Sequence, residues 1–290
     1  MRAFDILEPP ARTCCFVFDA PHSGAIYPPA FLASGRLDRH AIRRSEDAHV
    51  DRLFLGMVAR GAPLMRARFP RAYLDLNREP YELDPRMFEG RLPAFANTRS
   101  LRVAGGLGTI PRIVADGQEI YRGRIPVEDA LLRIETLYKP YHRALRDLLA
   151  RTQRAFGAAV LVDCHSMPST SLPPETRGRT DVVLGDRYGS SCDPLLVDLV
   201  ETSLRARGFG VARNKPYAGG FITEHYGEPG IGRHALQIEV NRALYMDERS
   251  LVPHRWFGDV AEALCDSLAD VVAAFEAARS GAGPSAIAAE

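Results

Sequence analysis

The stretch Cys14-Cys15-Phe16-Val17-Phe18-Asp19, followed by Ala20-Pro21-His22-Ser23-Gly24, decides the fold class. A short, uninterrupted apolar run that ends in a breaker-rich loop reads as a buried strand with a polar loop at its carboxyl end. The same pattern recurs at Ala158-Ala159-Val160-Leu161-Val162, which runs into Asp163-Cys164-His165-Ser166. Further strands are expected at Leu64–Arg68, Ala72–Leu76, Asp181–Leu184 and Ala235–Val240. Between them lie stretches with helical spacing. One starts near Ser45, a residue type that caps helices, and carries Val50, Leu53, Phe54, Met57 and Val58. Others cover Val127–Phe156, kinked or split at Pro140, then Pro194–Arg207 after Asp193, and Leu251–Ala278. Strands alternating with helices predict a three-layer α/β/α sandwich around a mixed, largely parallel sheet.

The rest of the chain bounds the function. With 290 residues, 46% hydrophobic and 25% charged, the composition is that of a globular enzyme. Lys plus Arg total 37 against 36 Asp plus Glu, a balance that points away from nucleic acid and from anionic membranes. No run approaches the roughly 20 apolar residues of a membrane span, and no signal peptide follows Met1. Five cysteines without knuckle or CxxC spacing read as reduced thiols in a cytoplasmic protein. Residues 1–279 read as one domain and 280–290 as a loose tail. Residues 77–125, rich in Pro, Gly and Arg, form a long stretch without strong periodicity, which is usually functional or disordered. Within it, Gly105-Gly106-Leu107-Gly108 lacks the Gly-Lys-Ser/Thr of a phosphate loop.

In sheets of this kind ligands bind beyond the carboxyl ends of the strands. Two such ends carry histidine, His22 and His165, and imidazole is a common zinc ligand. A catalytic zinc takes three protein ligands and keeps one position open. The third is sought among the acids of Ser45-Glu46-Asp47-Ala48-His49-Val50-Asp51, although acids also favour helix starts through the macrodipole. In Arg71-Ala72-Tyr73-Leu74-Asp75-Leu76-Asn77-Arg78, an arginine fork beside an amide suits a carboxylate. The plain alternative for Arg78 is a surface ion pair. Glu239, within Leu236-Gln237-Ile238-Glu239-Val240, is a carboxylate on an apolar strand, costly to bury unless it is paired or its pKa is raised. A thiol nucleophile at Cys164 beside His165 is disfavoured, because adjacent strand residues face opposite ways.

Taken together, these blocks resemble the N-formylglutamate amidohydrolase family. The match runs from Pro21-His22-Ser23-Gly24 through Asp47-Ala48-His49-Val50-Asp51, Asp75-Leu76-Asn77-Arg78 and Asp163-Cys164-His165-Ser166. It continues through Ser191-Cys192-Asp193, Gly219-Gly220-Phe221-Ile222-Thr223, His225-Tyr226-Gly227 and His234–Glu239 to Tyr245-Met246-Asp247-Glu248. The family in turn is similar to the zinc carboxypeptidases and aspartoacylase. The resemblance implies a zinc-exopeptidase-like fold and one zinc ion held by His22, Asp47 and His165. Asp47 is preferred to Glu46 because it fits the family block. The larger relatives keep His-x-x-Glu, whereas Ala25 stands here three residues after His22. It further implies Glu239 as general base and Asn77 and Arg78 as a carboxylate clamp assisted by Arg71. His225 and Tyr226 are weaker candidates for contacting the acyl oxygen, since the Gly-rich approach to them suggests a site loop, the plain alternative being a turn with ordinary packing. The expected partner is a small N-acyl amino acid with a free carboxylate, cut at its amide bond.

Overall fold

The computed structural model describes residues 2–114, 117–175 and 177–281. Seven strands form its main sheet: β1 (Phe4–Leu7), β2 (Phe16–Ala20), β3 (Leu64–Ala67), β4 (Ala159–Met167), β5 (Val182–Gly185), β6 (Val211–Arg213) and β7 (Arg233–Asn241). Their spatial order is β1-β3-β2-β4-β7-β5-β6. The β1–β3 and β5–β7 pairs are antiparallel and the others parallel, so the sheet is mixed and largely parallel.

Strand alternation sorts the side chains into two cores. Phe16, Phe18, Val160, Val162, Leu236 and Ile238 pack on one face with the helices Val50–Leu53, Gly56–Ala59, Pro194–Ala206 and Phe257–Arg279. Val17, Leu161 and Ala235 pack on the other, against the helical run that begins at Val127 and the long segment after Phe69. These layers make a three-layer α/β/α sandwich. On the second face the chain turns polar towards the carboxyl ends of the central strands. Asp19, Asp163 and Gln237 lie in one row, and His165 and Glu239 in the next. Because helices cover both faces, Glu239 is buried rather than solvent-facing.

Several elements depart from their expected form. Helical structure after Ser45 begins only at Val50, because His49 adopts a left-handed backbone (φ 66°). Ser45 ends a preceding 3-10 turn, and its hydroxyl caps nothing. Residues Ala72–Leu76 are not a strand. They begin in a turn in which the Tyr73 and Leu74 amides donate to the Pro70 carbonyl, and their burial comes from loop packing. The helical run is divided just ahead of Pro140. A π-turn over Ile134–Tyr138 separates Val127–Arg133 from Lys139–Phe156, and Pro140 stands in the first turn of the second segment, where a proline is tolerated. The last helix starts at Phe257, not Leu251, because Leu251 is left-handed (φ 59°) and Val252–Pro253 pairs with Met246–Asp247. Strand β4 runs on through His165, which is therefore a strand residue. Asp193 caps the helix Pro194–Ala206 by accepting from the Leu195 amide, as expected. Of the tail expected over 280–290, residues 282–290 lie outside those described.

Candidate functional site

His22 sits in the turn that leaves β2, Asp47 in the segment before the helix Val50–Leu53, and His165 on β4. Their side chains converge. The two Nδ1 atoms are 3.1 Å apart, and Asp47 Oδ2 lies 2.9 Å from His165 Nδ1 and 3.3 Å from His22 Nδ1. All three residues are at most 2% exposed. A tetrahedral ion with bonds of about 2.0–2.1 Å has ligand–ligand edges of about 3.3 Å, so the donor triangle fits a zinc-sized cation. Two ring nitrogens this close need a proton or a cation between them. Glu46 is turned away from this triangle. It accepts from the Tyr27 hydroxyl at 2.6 Å and pairs with Arg43.

Each histidine is held from behind. His22 Nε2 lies 2.7 Å from Asp75 Oδ1, which also accepts from the Asn77 amide at 2.9 Å. The other Asp75 oxygen accepts from Arg71 Nη2 at 2.8 Å. A carboxylate behind a metal-type histidine fixes its tautomer and ring orientation. Burial opposes ionisation of Asp75, but Arg71, His22 and Arg78 outweigh it and hold the carboxyl well below its usual range. Burial likewise opposes ionisation of Asp47, yet the two histidines and Arg71 keep it well below the carboxylate range. Behind His165, Asp163 Oδ1 lies 2.8 Å from Nε2. Beneath the site the Tyr141 hydroxyl donates to Asp19, whose carboxyl is pushed well up by burial and by Asp163.

Glu239 stands opposite His165 on the neighbouring strand and accepts from Gln237 Nε2 at 2.9 Å. Burial pushes its carboxyl up to about 7, with His165 and Arg71 pulling it down and Asp47 pushing it up. A base poised near neutrality is what proton transfer at physiological pH requires. His22, His165 and Glu239 face a cavity of about 600 Å³, which Arg71, Arg78 and Arg242 also line. Part of the irregular 77–125 segment closes one side, through Arg102, Leu107 and Ile113.

The expected carboxylate clamp is only partly available. Asn77 lines the cavity, but its amide is occupied. Its Oδ1 accepts from the Ile222 amide at 2.7 Å, and its Nδ2 lies 3.2 Å from Asp163 Oδ2 and 3.0 Å from His165 Nε2. Gly220 permits this approach, since a Cβ there would meet Asn77 Oδ1 at 2.4 Å. Arg78 donates from Nε to the Leu107 carbonyl and from Nη1 to its neighbour's carbonyl at Asn77. The structure does not bring His225 to this cavity. On the helix Phe221–Tyr226 it is exposed, stacks on Phe221 with centroids 4.9 Å apart, and is not among the cavity-lining residues. Tyr226 is buried and bonded to His142. His49 and Asp51 are structural, bonded to the Leu251 carbonyl and to Arg66. Cys164 points into the opposite core, donates to the Val162 carbonyl, and has its thiol pushed well up by burial.

Two residues at the site went unassigned in the sequence. Asp75 lies inside the quoted Asp-Leu-Asn-Arg block, and its acid beside the arginines was the available signal. Arg242 directly follows β7, at the carboxyl end of a central strand, and that position was the available signal. Its Nη2 lies 3.0 Å from Asp47 Oδ1.

A family profile described as N-formylglutamate amidohydrolase matches residues 14–246. The chain is 32% identical over 247 residues to the N-formylglutamate deformylase of Pseudomonas aeruginosa, spanning 84% of this chain and 85% of that protein. It is 29% identical over 239 residues to the N-formylglutamate deformylase of Pseudomonas putida, spanning 81% and 83%. Among solved structures, the N-formylglutamate amidohydrolase of Ralstonia eutropha aligns with a TM-score of 0.88 at 35% identity, covering 97% of this chain and 100% of the other. A gene product of Agrobacterium tumefaciens, 18% identical with a TM-score of 0.63 and covering 93% of this chain and 96% of its own, shares the fold. The chain therefore belongs to the N-formylglutamate amidohydrolase family and is a hydrolase acting on an amide.

Proposed function

We propose that the protein is a zinc-dependent deformylase that cleaves the amide of N-formylglutamate to formate and glutamate. The observation that carries this reading is the buried triangle of His22, Asp47 and His165 beside Glu239 at one cavity. The activity named for the Pseudomonas relatives supports the substrate.

His22 Nδ1, His165 Nδ1 and Asp47 Oδ2 would hold the ion. When bound, zinc supplies a lowered pKa for water, from about 15.7 towards 7, and polarises a carbonyl. Glu239 takes the proton of the attacking water and delivers it to the leaving nitrogen, work typically worth about 10²–10⁴-fold. Arg78 and Arg71 draw the substrate carboxylate to the cavity wall, so the amide is placed by binding energy. Asp75 keeps His22 in the tautomer whose Nδ1 carries no proton. Asn77, its amide engaged with the Ile222 backbone, acts here by holding the wall in shape rather than by gripping substrate.

Among the described residues no helix is long and apolar enough to cross a membrane. All five cysteines are buried and free, which supports a reducing, cytoplasmic setting. The test is metal analysis of the purified protein together with turnover of formyl-, acetyl- and succinyl-amino acids, measuring the released acid and the free amine. Stoichiometric zinc with preference for N-formylglutamate is expected. Chelator-insensitive turnover would discard zinc, and preference for another acyl amino acid would discard the substrate.

A further inference from the structure

We propose that Arg242 is a positioning residue that fixes Asp47 as a one-oxygen ligand and thereby sets the coordination number at the site, an inference that rests on the triangle being a metal centre. Asp47 divides its two oxygens. Oδ2 faces the two ring nitrogens, and Oδ1 accepts from Arg242 Nη2 at 3.0 Å. The other nearby cation, Arg71, stands 3.9 Å from Oδ1 and gives its Nη2 to Asp75.

Arg242 is itself immobilised. It is 6% exposed, and each of its three nitrogens has a protein acceptor. Nε donates to Ser166 Oγ at 3.1 Å, Nη1 to the Arg44 carbonyl at 3.1 Å, and Nη2 to Asp47. Its backbone is set as well, since the Asn241 side chain caps the turn Arg242–Leu244. Ser166 is the residue after His165, and Arg44 lies three residues before Asp47. One planar fork therefore ties the segments of two ligands to the end of the strand that carries Glu239. A guanidinium can do this because its donors lie in one rigid plane, which a flexible ammonium does not offer.

The consequence concerns Asp47. A carboxylate with both oxygens free can grip a dication through both. With Oδ1 held by Arg242, only Oδ2 remains, so three protein donors are offered and further positions stay open for water and for a substrate carbonyl.

The test uses the full chain loaded with cobalt(II), whose visible absorption is intense when four-coordinate and weak at higher coordination number, together with kcat and KM of the zinc-loaded protein. Arg242→Met should lower the cobalt absorption several-fold and reduce kcat by about 10–100-fold, with KM little changed. Arg242→Lys should fall between the two in absorption. A wild-type spectrum in Arg242→Met, or a loss confined to KM, overturns the proposal, the second because it marks a direct substrate contact. If Arg242→Met does not fold, Arg242→Lys is decisive alone, since wild-type absorption with a single-point donor overturns it. Failure of the unaltered chain to bind cobalt or zinc would instead strike the metal reading beneath it.

Discussion

His165 and Glu239 are directly opposed in the parallel register of β4 and β7, two central strands of the sheet. A metal-type ligand and a carboxylate with a raised pKa are thus fixed side by side by backbone hydrogen bonds, not by mobile loops. His22 and Asp47 complete the site from outside the strands, each pinned by its own partners.

Replacing His22 or His165 by alanine should abolish tight zinc binding and turnover while leaving the protein folded, because the sheet is set by apolar contacts elsewhere. Metal content after dialysis, with circular dichroism as a folding control, checks this. Full-stoichiometry zinc in both variants would show that the triangle is not the metal site.

Glu239→Gln should retain zinc and substrate binding and lose most of kcat, by about 10²–10⁴-fold, since only the proton carrier is removed. Steady-state kinetics on the metal-loaded variant decide the matter. A near-normal kcat takes Glu239 out of the mechanism.

Arg78→Lys should cost about 2–4 kcal/mol in kcat/KM, because lysine cannot make the two-pronged contact with a carboxylate. An esterified or amidated substrate should show a similar loss with the unaltered enzyme and little more with the variant. Simple addition of the two losses would mean that another group, with Arg71 the first candidate, meets the carboxylate.

His225→Ala should leave kcat/KM within about twofold of the unaltered enzyme, as expected of an exposed side chain away from the cavity. A loss of tenfold or more would require the helix Phe221–Tyr226 to move during turnover.

His142 should make the fold sensitive to acid. Burial pushes its imidazole down to about 3, against the pull of its hydrogen bond to the Leu76 carbonyl. The unfolded chain takes a proton here below about pH 6.5 while the folded chain refuses it, so stability falls as pH drops through this window. The loss between neutral pH and pH 5 should be about 2 kcal/mol. His142→Gln, which can still donate to Leu76, should flatten that part of the curve in urea titrations at pH 7.5 and 5. An unchanged pH slope would assign the acid sensitivity to other groups.

The sequence by itself determined the central strands, because β2, β4 and β7 are buried on both faces and so read as apolar runs. It also determined the helix after Asp193, where cap and periodicity agree, and it singled out His22, Asp47, His165 and Glu239 as interruptions of an otherwise ordinary pattern. Tertiary structure alone decided what those interruptions do. Ala72–Leu76 resembles a strand because loop packing buries it, and local pattern cannot distinguish the source of burial. Which acid joins the histidines depends on Tyr27 and Arg43 claiming Glu46, contacts made only once the chain has turned. His225 shares a block with site residues, yet its helix points it to solvent. The roles of Asp75, Asn77 and Arg242 rest on hydrogen bonds spanning 53, 145 and 195 residues of sequence, and no local spacing encodes such contacts.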